Sequence, residues 1–110
     1  MKKTSTPLEI SLSILNNKWK FFIIRELLSG GKRFNELKKG IGEITNKILI
    51  QKLREMEDAG FITSEKNPPI VKYFLTDLGY TLFPVIDSLN NWGKDYKKYL
   101  KVLSKSKISK

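Results

Sequence analysis

Apolar residues along the chain recur first at helical and later at strand spacing, and the changes of period divide it into elements. Leu8, Leu12, Leu15 and Trp19 repeat at helical intervals, with Ile10 and Ile14 as a second apolar edge, predicting a helix over about 7–16. Pro7 suits its first turn after a Ser5 or Thr6 cap. This stretch is greasier than one buried face needs, which fits either deep burial or a helix that also meets a partner. Asn16-Asn17 breaks the pattern and caps a second helix with Trp19, Phe22, Ile23, Leu27 and Leu28 on its inner face, ended by Ser29-Gly30-Gly31. A short helix over Arg33–Lys39 turns Phe34 and Leu37 inward. Gly40-Ile41-Gly42 is a tight turn, and Thr45 caps a helix running to about Asp58, closed by Ala59-Gly60.

From Phe61 the pattern changes. Phe61–Lys66 and Ile70–Leu75 read as strands joined by Asn67-Pro68-Pro69, a hairpin. Thr76-Asp77 caps a last long helix striped by Leu78, Leu82, Val85, Ile86, Leu89, Trp92, Tyr96 and Leu100, with Pro84 predicted to kink it. The fold class is mainly α with a small β-hairpin: a winged helix-turn-helix with an extra helix at each end. As one domain over 1–110, it has the helix-turn-helix at about 33–58 and the wing at about 61–76. Terminal helices fall at about 7–16 and 77–100, and a basic tail at 101–110.

Composition narrows the chemistry. The 110 residues include 21 Lys+Arg and 11 Asp+Glu but no His or Cys. Disulfides, thiolate nucleophiles, imidazole bases and zinc-finger ligand sets are therefore absent. Carboxylates, Lys and Tyr form no clustered set, so neither an enzyme, a cofactor nor a metal site is expected. The net charge of +10 draws polyanions, which makes nucleic acid or an anionic membrane surface the expected class of partner. Most of the excess lies in residues 94–110, where seven Lys face one Asp, though such a tail is equally consistent with a solvated, frayed end. The longest uninterrupted apolar run, Phe21–Ile24, is far below the roughly 20 residues of a membrane-spanning helix. Met1-Lys2-Lys3 hints at a signal peptide, but Glu9, Ser11 and Ser13 interrupt what would be its apolar core. A cytoplasmic location is expected.

The helix from Thr45 carries the most informative face. At about 100° per residue, Ile48, Leu49, Leu53 and Met56 share one arc. The opposite arc holds Lys47, Ile50, Gln51, Arg54 and Asp58, with Asn46 at its edge. Gln can pair bidentately with adenine, Arg and Lys with guanine, and an exposed Ile can touch a thymine methyl. Asn46, Lys47, Ile50, Gln51 and Arg54 are therefore candidate base contacts in double-stranded DNA. Lys32, Arg33, Lys38, Lys39 and Thr45 suit its phosphates, and Lys66 and Lys72 flank the wing tip. Glu55, Glu57 and Asp58 should sit away from the phosphates.

These residues and their order resemble the HxlR-type winged helix-turn-helix transcriptional regulators, related in architecture to the MarR group. The likeness runs from about Thr6 to Leu100. It rests on Pro7, Asn17-Lys18-Trp19, Ile24 through Leu28, Arg33 through Leu37, Leu49 through Glu55 (LIQKLRE), Gly60, Pro68-Pro69, Tyr73, Leu75-Thr76, Leu78-Gly79, Pro84 and Trp92. The resemblance implies a bacterial transcription factor acting as a homodimer, its terminal helices pairing the subunits through Leu8, Leu12, Leu15, Leu89, Trp92, Tyr96 and Tyr99. The apolar excess of both helices agrees, although they could instead fold onto their own domain. A two-fold dimer would hold its recognition helices about 34 Å apart on a pseudo-palindromic site.

Three departures shape the expectation. Thr6 stands where many members carry the Cys before the proline, so thiol sensing is excluded and any signal is a bound ligand or partner. Ile70 replaces the basic residue that usually follows the Pro pair, leaving Lys66 or Lys72 for a minor-groove contact. The Lys-rich end exceeds the family's usual reach. A small-molecule effector would fit where Trp19, Phe22, Phe83 and Trp92 approach one another, although such aromatics also suit a core. Repression is the commoner mode of control in such proteins. The alternatives are a sequence-indifferent architectural DNA binder and a protein-interaction module on a winged-helix scaffold.

Overall fold

A computed structural model describes residues 5–67 and 69–108; Met1-Lys2-Lys3, Pro68 of the expected turn, and the last two tail residues lie outside them. Among the described residues four helices precede the hairpin and two follow it. Helix α1 spans Pro7–Ile14, and its cap, Thr6, accepts a hydrogen bond from the Glu9 amide at 3.1 Å. Helix α2 spans Lys18–Leu27, with Asn17 Oδ1 accepting from the Trp19 amide at 2.8 Å. A two-residue strand, β1 (Lys32–Arg33), leads into α3 (Phe34–Ile41), and α4 follows at Asn46–Asp58. Strands β2 (Ile62–Asn67) and β3 (Ile70–Leu75) form the wing, followed by α5 (Asp77–Tyr80) and α6 (Phe83–Ile108).

The core is the meeting of three helices with the root of the wing. Ile23, Ile24 and Leu27 of α2, Leu37 of α3, Leu49, Leu53 and Met56 of α4, and Ile62 and Leu75 of the sheet are all buried. Ile44, in the turn before α4, plugs the remaining side. That turn depends on Gly42, whose φ of 98° lies in the left-handed region that favours glycine and whose amide closes α3 on the Lys38 carbonyl at 3.0 Å. Along α2 the buried arc differs from expectation. Ile24 is fully buried, whereas Trp19, Phe22 and Leu28 are only half-buried, because α2 is wedged between α3, α4 and β3 and buries a wider arc than one stripe.

Three expectations need correction. First, the sheet has three antiparallel strands in the order β1-β3-β2, with Lys32 opposite Tyr73 and Arg33 opposite Lys72. A pair of residues is too short to show a strand period, and Gly31 lets the chain approach the Phe74 ring, where a Cβ would stand 2.2 Å from Cε1. Second, the expected single C-terminal helix is two. It breaks at Thr81-Leu82, and Pro84 is the second residue of α6, a position where the missing N–H costs no helical bond. Third, the last helix does not stop at Leu100: α6 continues to Ile108.

Two elements stay outside this core. No residue of α1 is buried, nor any described residue of α6 through Lys105 apart from the half-buried Ile86. The radius of gyration is 17.4 Å, against about 13 Å for a compact chain of this length. Helix α6, with 26 residues, is by itself roughly 39 Å long.

Gly79 is the tightest joint between α5 and the sheet: an added Cβ would meet the Phe61 carbonyl oxygen at 2.2 Å and Leu75 Cδ2 at 3.0 Å. Gly79→Ala is expected to lower the urea midpoint, corresponding to roughly 1–3 kcal/mol of overpacking strain.

Candidate nucleic-acid interface

The orientation of α4 follows from its buried side. With Leu49, Leu53 and Met56 locked in the core, Lys47, Ile50, Gln51 and Arg54 have to face outward, and all four are exposed. They line one open depression with Glu55 and Asp58. Ile50 is 47% exposed, an apolar side chain presented among polar ones.

Asn46 is exposed at the N-terminal edge of this face, and its Oδ1 accepts a hydrogen bond from Lys38 Nζ. Lys38 and Asn46, expected at phosphate and base respectively, are thus partners across the turn. Thr45 caps the helix, its Oγ1 accepting from the Ile48 amide at 3.2 Å. Lys39 is exposed on the last turn of α3. Lys32 Nζ donates to Ser29 Oγ at 2.9 Å, which draws it toward the end of α2. The Arg33 amide donates to Glu36 Oε1 at 2.9 Å, so Arg33 opens α3 with its side chain exposed.

The three-stranded sheet then makes a connection that spacing does not show. Arg33 and Lys72 face each other in register and line one depression with Asn35 and Glu36. Lys66 is exposed further out on the wing, opposite Val71, and Ile70 is exposed at the start of β3.

Two of the three acidic residues of α4 are drawn to other partners. Glu57 accepts from Ser64 Oγ at 3.0 Å on β2. Glu55 Oε2 is 3.4 Å from Lys20 Nζ and 3.2 Å from Lys52 Nζ. Burial alone would raise the Glu55 carboxyl, but hydrogen bonds and charge from Lys52 and Lys20 outweigh it and hold the group below its ordinary value of 4.5. Asp58 remains on the outer face at the C-terminal end, so the cationic part of the face is its N-terminal portion.

The four aromatics expected to enclose an effector are not gathered within one chain. Trp19 and Phe22 meet edge to face at 5.9 Å, whereas Trp92 stacks on Tyr96 at 5.1 Å, and both Phe83 and Trp92 are exposed. Phe22 instead borders a depression with Phe21, Arg25, Ile86, Leu89 and Asn90. The Lys20–Glu55–Lys52 cluster was missed. Only the three-residue spacing of Lys52 and Glu55 could have signalled it; Lys20 lies a whole helix away.

With this geometry, comparison with known proteins is decisive. The family model for HxlR-like helix-turn-helix proteins matches residues 14–101. The chain belongs to the HxlR-like helix-turn-helix family. It is 44% identical over 94 residues to the uncharacterized HTH-type transcriptional regulator YdeP of Bacillus subtilis (strain 168), covering 83% of this chain and 73% of YdeP. To YkvN of the same organism, also an HTH-type transcriptional regulator, it is 40% identical over 99 residues, 87% of this chain and 84% of the other. Among solved structures, a MarR-family transcriptional regulator from Porphyromonas gingivalis W83 superposes with a TM-score of 0.80 at 31% identity, covering 86% of this chain and 95% of that one. The redox regulator HypR in its reduced form also gives 0.80, at 34% identity over 88% of this chain and 99% of its own. This HxlR-like protein is a DNA-binding transcriptional regulator, and its relatives are regulators rather than enzymes. No helix among its described residues is long and apolar enough to cross a membrane.

Because the folded Glu55 carboxyl lies below 4.5, its pairing stabilises the HxlR-like fold above that pH and is lost as pH falls through the folded value. Glu55→Gln is expected to lower the thermal midpoint at pH 7 by the equivalent of about 1 kcal/mol or less, since Glu55 is 38% exposed. The gap from wild type should close as melts are repeated down to pH 3.

Proposed function

We propose that this regulator is a homodimeric, sequence-specific repressor that occludes a pseudo-palindromic operator. The observation that carries the reading is the outer face of α4, where Lys47, Ile50, Gln51 and Arg54 are exposed together while the helix is anchored by its opposite side. Gln51 would read adenine, Arg54 and Lys47 guanine, Ile50 a thymine methyl, and Asn46 a base edge at the helix start. Lys32, Arg33, Lys38, Lys39 and the cap Thr45 would hold phosphates and set the register. Lys72, beside Arg33, and Lys66 would serve the wing.

Dimerisation is supported by apolar surface that the monomer leaves open. Leu8 is 68% exposed and Trp92 65%, and Leu12, Leu89, Tyr96 and Tyr99 are also exposed. Leu15 is half-buried at the corner between α1 and α2. Pairing through these helices would cover that surface and set two recognition helices about 34 Å apart. With no Cys among the 110 residues, control would not pass through a thiol, which leaves a small molecule or a partner as the signal. Such a regulator acts in the cytoplasm, where its operator lies.

The extension of α6 favours a second, sequence-indifferent contribution. At about 100° per residue, Lys94, Lys97, Lys98 and Lys101 fall on one arc, opposite Trp92, Tyr96 and Tyr99. Deleting residues 101–110 should then weaken binding to all duplexes alike and leave site preference intact.

Selection from random duplexes at about 0.15 M salt should enrich an inverted repeat. Gln51→Ala with Arg54→Ala should weaken binding to it by roughly 2–6 kcal/mol, from two lost base contacts of about 1–3 kcal/mol each. Uniform weak enrichment would end the operator reading. Sedimentation should show a dimer that becomes monomeric in Trp92→Glu/Tyr96→Glu; a monomeric wild type would end the dimer reading.

A further inference from the structure

Where the α1–α2 corner meets the C-terminal end of α4, the fold encloses an apolar recess of about 100 Å³. Ile24 and Met56, both fully buried, form its deep wall, and the half-buried Leu15 and Phe61 form its sides. Lys20 and Glu55 stand at its edge. Of these six only Glu55 also borders the depression on the outer face of α4.

The charge at that edge is unbalanced. Lys20 and Lys52, whose side chains are each only 15% exposed, aim their ammonium groups at the same Glu55 oxygen, at 3.4 and 3.2 Å. Lys20 also donates to the Ile14 carbonyl at 3.4 Å. Two cations thus share one carboxylate at the mouth of the recess. The group that completes such a cluster is a second anion. A cavity of about 150 Å³ holds benzene, so a recess of about 100 Å³ suits an apolar body of about four carbons, and a ring only where it reaches the open edge.

We propose that this recess binds a small organic monocarboxylate, its branched or cyclic body against Leu15, Ile24, Met56 and Phe61 and its carboxylate on Lys20 and Lys52. The site joins three elements: Leu15 at the end of α1, Lys20 on α2, and Glu55 directly after Arg54 on α4. A ligand carboxylate competes with Glu55 for the same two ammonium groups, so occupancy alters what holds the recognition helix. In this respect the inference rests on the DNA-binding function proposed above. Such coupling typically changes affinity about 5- to 150-fold, equally in both directions.

The test begins without DNA. The full chain is titrated calorimetrically at pH 7 with 3-methylbutanoate and benzoate, and with the matched amides 3-methylbutanamide and benzamide. One saturable site per chain is expected for at least one acid, with its amide at least about tenfold weaker, as loss of a charge-assisted contact requires. Lys20→Met should abolish binding. Ala59→Leu should do the same by filling the recess, at whose border Ala59 lies, while leaving Lys20, Lys52 and Glu55 in place. Thermal melts verify that both variants fold. No saturable heat up to about 10 mM of either acid overturns the proposal, as it would if a second copy's side chain fills the recess. Acid and amide binding equally, or Ala59→Leu binding like wild type, overturns it too.

The DNA arm is read separately. Adding the acid should shift duplex affinity in wild type and not in Ala59→Leu. Acid binding by a chain that shows no operator preference leaves the site standing and removes the repressor reading. Operator binding with no acid binding does the reverse.

Discussion

The packing of α4 against α2 is the contact on which everything else depends. Leu49, Leu53 and Met56 press on Ile23, Ile24 and Leu27, and with Leu37 and Ile44 they leave α4 no freedom to roll about its axis. Because successive residues turn by about 100°, fixing one side of a helix fixes the other. The outward aim of Gln51 and Arg54 is thus a consequence of apolar burial, not of any polar contact the two residues make. Substitution on the outer face can change its chemistry without disturbing what holds the helix in place.

Polar interactions play a subordinate, directing part. Glu57 goes to the wing and Glu55 to Lys20 and Lys52, which keeps negative charge toward the C-terminal half of α4 and leaves the N-terminal portion of its exposed face cationic. The Lys38–Asn46 bond spans the helix-turn-helix turn, so these two polar groups satisfy each other. Surface pairs of this kind contribute little to stability. Their effect is on where charge points.

The helix-turn-helix was legible in the sequence because α3 and α4 announce their buried sides by period and their ends by Thr45 and glycine. Elsewhere the signal failed for definable reasons. Strand β1 has two residues, fewer than one repeat of any pattern. The apolar stripe runs unbroken through Leu78, Leu82 and Val85, so period alone could not divide α5 from α6, and Pro84 is compatible with either a kink or a new start. The recess bordered by Leu15, Ile24, Met56 and Phe61 draws on four separate segments, and no spacing along the chain encodes their meeting. The aromatic residues that did stand out were a poorer guide, since Trp92 packs on its own helix neighbour Tyr96.

Strand β1 also determines how the wing can move. Its pairing of Arg33 with Lys72 clamps β3 to the start of α3, while β2 is tied to the end of α4 by the short turn at Ala59-Gly60-Phe61, by the buried Ile62 and by the Ser64–Glu57 hydrogen bond. The hairpin is therefore held at its root on both strands. A side chain placed at that root, such as Lys72, thus keeps a fixed position relative to Arg33 and the start of α3.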